Sequence, residues 1–311
     1  TSCFANVLGL NISSAFKSAV TVYVIIPLLL IPQMILSGLL FSFDKLNDVI
    51  STKGKVPLVA DLMASRWAYE AIATQYFVGN EYGQSFYTYE KAQSQADYKS
   101  AFLADELKRK NEFVLANFNS ADDSVKDLVT YNLGVLKRYL GSDPYFTSNA
   151  DPGIQAIIRN GEYSGDEGRK ISAFIDALKH HYQEEYNHHT AIIEKKMAFF
   201  EKNGWNINEN KNLYYNESLA DLLKNVNTKD RLFEYRGELI QQIDPIYQDA
   251  TPTHAFDYRT GFFFPLKNWL GIEMGTYWFD LGVIWTMALA LCITLYFEAL
   301  RKGLLLFERV D

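Results

Sequence analysis

From Ser18 to Phe43 the chain carries no charged residue, and from Leu281 to Phe297 it carries none again. Between these runs lies a long stretch rich in polar, charged and aromatic residues. A helix needs roughly 20 apolar residues to cross the hydrocarbon core of a bilayer. The first run meets that length with room for tilt. The second meets it when Thr276 to Phe279 or Glu298 to Leu300 join it, and Tyr277 and Trp278 suit a membrane interface. The expected fold class is therefore mainly α. It is a helical membrane protein with two complete transmembrane helices, the end of a third at its start, and a large helical water-facing domain between the spans.

The bulk composition conceals this division. Across 311 residues the hydrophobic share is 48% and the mean hydropathy −0.12, values the polar middle brings down to those of a soluble chain. The net charge of −7 argues against a nucleic-acid partner. The one basic cluster, Lys108-Arg109-Lys110, is surrounded by Asp105, Glu106 and Glu112. Of the two cysteines, Cys3 is in the apolar opening and Cys292 in the last span, so the middle domain must stand on its core without disulfides. Thr1 is not an initiator, and Ser2 to Leu10 has neither a basic leader nor a cleavage pattern. That segment reads as the tail of a helix, and the chain as the C-terminal piece of something longer.

Asn11-Ile12-Ser13-Ser14 is expected to break the opening segment. Pro27 and Pro32 should kink the first span rather than end it, since neighbours in a bundle can satisfy the freed carbonyls. Val56 to Phe77 is amphipathic, with Arg66 and Glu70 one helical turn apart. Helices are predicted over Tyr87 to Phe118, over Asp122 to Leu140 behind Ser120 as N-cap, and over Glu167 to Asn203. Gly141 to Gly168 reads as loop-rich. Shorter helices are predicted at Ser218 to Asn225 and Lys229 to Ile243, followed by extended chain. Phe262-Phe263-Phe264 and Trp269 would form an aromatic belt ahead of the last span.

Three strings, in order, carry a resemblance: Gly9-Leu10-Asn11-Ile12-Ser13 before the first span, Ser37-Gly38-Leu39-Leu40 at its end, and Arg66-Trp67-Ala68-Tyr69-Glu70-Ala71 after it. Together they resemble the membrane domain of the G-subfamily (White-type) ATP-binding-cassette exporters over its last two spans, covering roughly residues 1 to 80 and 262 to 311. The family usually has a compact, often disulfide-bonded outer loop. Here the loop is far longer and cysteine-free, which looks more like bacterial relatives with an inserted helical domain.

The resemblance implies the following organisation: a truncated helix end over 1–15, a span over 16–43, an amphipathic re-entrant segment over 44–80, a helical extracytoplasmic domain over 81–262, an aromatic belt and last span over 263–303, and a cytoplasmic tail over 304–311. It implies that Ile31 and Met34 line a substrate cavity shared with a second copy, and that Leu39 and Leu40 form an apolar plug above it. The implied function is the permease portion of an ATP-driven exporter of hydrophobic or amphiphilic substrates in a bacterial inner membrane. The partners would be the lipid bilayer, a nucleotide-binding domain, a second membrane domain and an envelope protein docked on the outer domain. The chain has no phosphate-binding loop, because Gly54-Lys55 lacks the earlier glycine and the following hydroxyl. ATP and Mg therefore belong on a domain outside it, and no cofactor, catalytic residue or metal ligand is assigned within it. Orientation is not readable from charge: Lys17, Arg301, Lys302 and Arg309 flank one side, and Lys45, Lys53, Lys55 and Lys267 the other.

Two further groups were weighed. His180, Glu184 and His188 share one helical stripe and His181, Glu185 and His189 its neighbour, a spacing that can place imidazole and carboxylate on one zinc ion. However, Leu178, Tyr182, Glu185, His189 and Ile193 follow an apolar seam, which favours packing and solvated Glu–His pairs, and His254 is the remaining histidine. A metal- or ligand-binding scaffold tethered to the membrane is the alternative function. Asp280 and Glu298 bracket the last span and are expected to mark its hydrated margins.

Overall fold

The computed structural model describes residues 1–16, 18–39, 43, 54–160, 163–252, 255 and 257–307. The chain begins with α1 (Ser2–Ala15), α2 (Ala19–Ile35), α3 (Leu58–Asp61) and α4 (Ala64–Val78). Next come α5 (Glu81–Tyr98), α6 (Ala104–Asn117), α7 (Asp123–Ser142), α8 (Pro144–Asn149), α9 (Pro152–Asn160) and α10 (Gly165–Lys202). Then follow α11 (Ile207–Tyr214), α12 (Glu217–Leu223), strands β1 (Leu232–Tyr235), β2 (Glu238–Gln241), β3 (Leu266–Trp269) and β4 (Ile272–Gly275), and finally α13 (Thr276–Tyr296) and α14 (Ala299–Phe307). The fold is mainly helical, and its strands form two separate antiparallel hairpins. Two compact units are formed: Thr1–Asn80 with Asn216–Leu223 and Gln248–Asp311, and Glu81–Tyr215 with Lys224–Tyr247.

In the first unit α13 packs against α1 and α4. Phe4, Ala64 and Ala288 form the buried contact, where two alanines let the helices approach closely. Asn11 is 3% exposed and works as polar glue in this apolar surround. Its Nδ2 donates to the carbonyls of Val7 and Leu291, both at 2.9 Å, and its Oδ1 accepts from the Thr294 hydroxyl at 3.1 Å. Such inter-helix hydrogen bonds are characteristic where no water competes. Asn11-Ile12-Ser13-Ser14 therefore does not break the opening helix; α1 runs through it to Ala15 because Asn11 and Ile12 are buried against α13.

Among the described residues α13 is the one helix long and apolar enough to cross a bilayer. Its 21 residues include Thr276 to Phe279, the extension the second run needed. The first run behaves differently: its regular helix α2 has 17 residues, about 26 Å long against a bilayer core of about 30 Å. Pro27 and Pro32 lie inside α2 without ending it. The helix stops where Ser37 turns its hydroxyl back to the Met34 carbonyl at 2.8 Å and Gly38 takes φ +80°. A Cβ on Gly38 would stand 2.6 Å from the Phe262 ring, so the close approach of that ring requires glycine.

The second unit is built on α10, which packs along α5 and α6. A five-residue π turn, Lys99–Leu103, joins those two helices without a break, so the predicted helix over Tyr87 to Phe118 is continuous but irregular in the middle. Leu107, Leu136, Leu140, Ile171 and Ile175 are at most 1% exposed and form the centre of this core. Asp143 stitches it together. Its Oδ1 caps α8 by accepting from the Tyr145 amide at 2.9 Å, and its Oδ2 accepts from Lys99 Nζ at 3.1 Å and the Tyr182 hydroxyl at 2.7 Å.

Three local expectations change. Asp122, not Ser120, caps α7, its Oδ1 accepting from the Ser124 amide at 2.9 Å. The loop-rich stretch contains α8 and α9, each opening on a proline placed where its missing N–H costs nothing. Lys229 to Ile243 is a hairpin rather than a helix: Arg236 (φ +51°) and Gly237 (φ +78°) form the two-residue turn whose twist suits paired strands, and Tyr139 accepts from the Leu239 amide and donates to its carbonyl.

Two measurements test this core. Leu136→Ala removes a side chain with 0% exposure and is expected to destabilise the second unit by about 2–5 kcal/mol in chemical denaturation, whereas Leu128→Ala on the same helix, 51% exposed, shifts it by at most about 0.5 kcal/mol. Burial raises the Asp244 carboxyl above its ordinary 3.8, against the Ser94 hydrogen bond and the charges of Lys224 and Arg231; burial and then the Asp244 charge raise Asp97. A carboxyl raised by folding contributes stability that is complete below the unfolded value and lost as pH rises through the folded one. The melting temperature is thus expected to fall as pH climbs from about 4 through the raised range, with a shallower slope in Asp244→Asn.

Candidate functional site

The residues assigned by resemblance sit in and just beyond the C-terminal part of α2. Ile31 is 54% exposed and Met34 57%, one helical turn apart on a common face. Leu39, 59% exposed, lies just past the Ser37-Gly38 stop, with its amide donating to Ser37 Oγ at 3.2 Å. Leu40 lies outside the described residues, as do His254, Lys17, Lys45 and Lys53. No residue of α2 is buried, although the helix is apolar throughout. It touches the rest of its unit chiefly at α4, where the Ser65 hydroxyl donates to the Gln33 carbonyl at 2.7 Å.

The first unit also contains a buried cluster of ionisable groups. Helix α4 presents Arg66 and Glu70 one turn apart, 2% and 0% exposed. Arg66 Nη2 lies 3.1 Å from Glu70 Oε2, and its Nη1 is 3.7 Å from Asp61 Oδ1, an ion-pair distance rather than a hydrogen bond. The guanidinium also stacks 3.7 Å over the Trp67 ring. From β3, Lys267 (1% exposed) donates to Glu70 Oε1 at 2.8 Å and to Thr260 Oγ1 at 3.2 Å. The Phe263 amide is a second hydrogen-bond donor to Glu70 Oε1 at 3.2 Å, while Oε2 has only the Arg66 ion pair among the described residues. Arg259 Nη2 donates to the Val56 carbonyl at 2.9 Å, and the Tyr258 hydroxyl to Asp61 Oδ2 at 3.1 Å. Burial raises the Asp61 carboxyl above the usual carboxylate range, against the lowering effect of Arg66, Tyr258, Arg259 and Lys267.

Asp280, in the second turn of α13, is 0% exposed, and neither carboxylate oxygen has a hydrogen-bond partner among the described residues. This corrects the hydrated margin expected for it, because α4 and the β3–β4 hairpin cover that end of the helix. Glu298 is exposed, has φ +50° at the junction of α13 and α14, and lies 3.5 Å from Arg301. Lys267, counted in sequence as a flanking charge, is an interior one. The expected aromatic belt is also partly interior, since Phe263 is 6% exposed and stacks on Phe262, while Trp269 stays 40% exposed at the hairpin turn.

The histidines of α10 have different neighbours, apart from His188 and His189, whose rings meet edge-on with centroids 5.5 Å apart. His181 stacks on Tyr145 with centroids 4.2 Å apart, His180 faces solvent 3.5 Å from Glu184, and His189 lies 3.5 Å from Glu185. Leu178 and Ile193 are buried on the seam. No three His, Cys, Asp or Glu side chains converge as a metal site among the described residues.

The ionic cluster is the feature that sequence reasoning missed. Arg66 and Glu70 were visible as a pair, but Lys267 stands 197 residues from Glu70 and no local spacing links them. No protein-family model, curated protein or solved structure matches this chain.

Lys267→Ala leaves Glu70 buried with one cation fewer. The expected cost is about 3–5 kcal/mol, read from denaturant unfolding through the fluorescence of neighbouring Trp67; Lys267→Met combined with Glu70→Gln is expected to recover most of it, since the partnerless charge is then gone.

Proposed function

We propose that this chain is the permease portion of an ATP-driven exporter of the White type, moving a hydrophobic or amphiphilic substrate across a bacterial inner membrane. The observation that carries the reading is α2: an apolar helix, interrupted by two prolines, with no buried residue. Exposing such a helix to water is costly, at roughly 25 cal/mol per Å2 of apolar surface, so lipid and a second copy of the chain are the natural cover. A helix serving only as an anchor needs neither the prolines nor the Ser37-Gly38 stop.

In this reading Ile31 and Met34 face the shared cavity. Leu39 and Leu40 meet their symmetry mates above it as a dry constriction that a small helix movement opens. The second unit is extracytoplasmic and the C-terminus cytoplasmic. ATP and Mg act on a nucleotide-binding domain outside this chain, and closure of that domain moves the spans. The alternative of a tethered metal-binding scaffold has less support, because packing directs the α10 imidazoles to different neighbours.

The test is ATP hydrolysis and efflux by the full protein or its complex in lipid vesicles. Met34→Trp is expected to lower substrate-stimulated hydrolysis about tenfold, equivalent to about 1.4 kcal/mol, by filling the cavity. Leu39→Ala with Leu40→Ala is expected to leave hydrolysis running while uncoupling it from efflux. Isolation of the intact protein with no nucleotide-binding domain attached or associated would end the transport reading.

A further inference from the structure

Buried side-chain atoms without a hydrogen-bond partner are few in folded proteins, and each has a physical cause. Among the described residues such atoms gather in the first unit: Asp61 Oδ1, Arg66 Nε and Nη1, Glu70 Oε2, Arg259 Nε, and both carboxyl oxygens of Asp280. In the second unit His189 Nδ1 stands alone. This concentration on five side chains of one unit points to a shared partner.

Three of the five side chains are joined by direct distances. Arg66 Nη1 stands 3.7 Å from Asp61 Oδ1, beyond a hydrogen bond but within the span of one bridging water, and Arg66 Nη2 stands 3.1 Å from Glu70 Oε2. Three rings wall this cluster. Trp67, Tyr258 and Phe279 have pairwise centroid separations of 6.3, 5.9 and 6.0 Å. Arg66 stacks on the first, the Tyr258 hydroxyl donates to Asp61, and Phe279 directly precedes Asp280 in α13.

The chemistry of the orphaned atoms selects what fits them. The donors among them all belong to guanidinium groups and the acceptors all to carboxyls. A metal cation would meet the charges of Arg66 and Lys267, and an anion would meet three carboxyls. A neutral molecule that both donates and accepts satisfies the two kinds together. The atoms are closed off from solvent, which suits water over a larger solute. A buried water makes about three hydrogen bonds, so the set calls for roughly two or three molecules.

We propose that the Asp61–Arg66–Glu70 cluster is a binding site for ordered water, one molecule bridging Arg66 Nη1 to Asp61 Oδ1 and others donating to Glu70 Oε2 and Asp280. The water is a structural ligand: it lets the ionisable groups of α4 and the β3–β4 hairpin meet the start of α13 without leaving a carboxyl unpartnered. The site involves neither nucleotide nor substrate, so it stands or fails separately from the transport reading.

The experiment uses the full chain in lipid nanodiscs, with hydroxyl radicals generated by a brief X-ray pulse and oxidised residues read by mass spectrometry. Radiolysis of a bound water oxidises the side chains beside it even where bulk solvent does not reach. Trp67 is 2% exposed, and Tyr247 of the second unit, bonded to Glu90, is an equally buried control at 3%. Corrected for intrinsic reactivity, Trp67 is expected to oxidise several-fold faster than Tyr247. Asp61→Leu, close in volume but without Oδ1, is expected to bring Trp67 down toward the control rate, and Asp61→Asn to retain the excess. Equal rates for Trp67 and Tyr247 in the unaltered chain overturn the site, whether or not the leucine variant folds. Undiminished Trp67 oxidation in folded Asp61→Leu overturns it as well, because bulk water then reaches the ring.

Discussion

The charge on Glu70 is the demand that the first unit is organised to meet. A carboxyl with no solvent exposure is tolerable only when polar partners meet it, and most of these come from a segment distant in sequence. The Phe263 amide before the hairpin and Lys267 on β3 donate to it, and Arg66, one turn earlier on α4, pairs with it at 3.1 Å. Satisfying Glu70 thus determines where the β3–β4 hairpin sits, and the hairpin positions the start of α13. The same arrangement covers Asp280, whose carboxyl oxygens have no hydrogen-bond partner among the described residues.

Around that centre, α1 and α13 meet through Phe4 and Ala288 and through one asparagine whose amide bridges the two helices. The apolar bulk of α2 and the outer face of α13 remain open, with Tyr23, Leu28, Trp278 and Trp285 more than half exposed. The second unit answers its constraints differently. Its core is a conventional aliphatic one over long amphipathic helices, and its buried Asp143 is fully partnered by a backbone amide, an ammonium and a phenol.

Much of the helical layout was legible because helices announce themselves over short distances. The seam Leu178–Tyr182–Ile193 and the stop at Asn203-Gly204 mark α10, and the charge-free run with Tyr277 and Trp278 marks α13. Local patterns were silent elsewhere for identifiable reasons. The two hairpins turn on Arg236-Gly237 and Leu270-Gly271, whose positive φ is a tertiary outcome at the non-glycine member. Asn11 to Ser14 resembled a break because the polarity of Asn11 is answered in part by Leu291 and Thr294, far away in sequence across the helix pair. Ile31, Met34 and Leu39 were assigned to a substrate path by resemblance and not from periodicity, and structure adds their exposure.

By itself the sequence determined that this chain is mainly helical, that its apolar segments lie near its two ends, and that a disulfide-free domain stands between them. Those properties follow from residue types and spacings a few positions apart. Only the tertiary structure decided that Lys267 and Asp280 are interior groups, that Glu70 accepts from Lys267 and the Phe263 amide, and that Gly38 admits the Phe262 ring. Each of these depends on side chains roughly two hundred residues apart meeting in a space closed to bulk water, where the energy of a charge is set by its neighbours and not by its position in the chain.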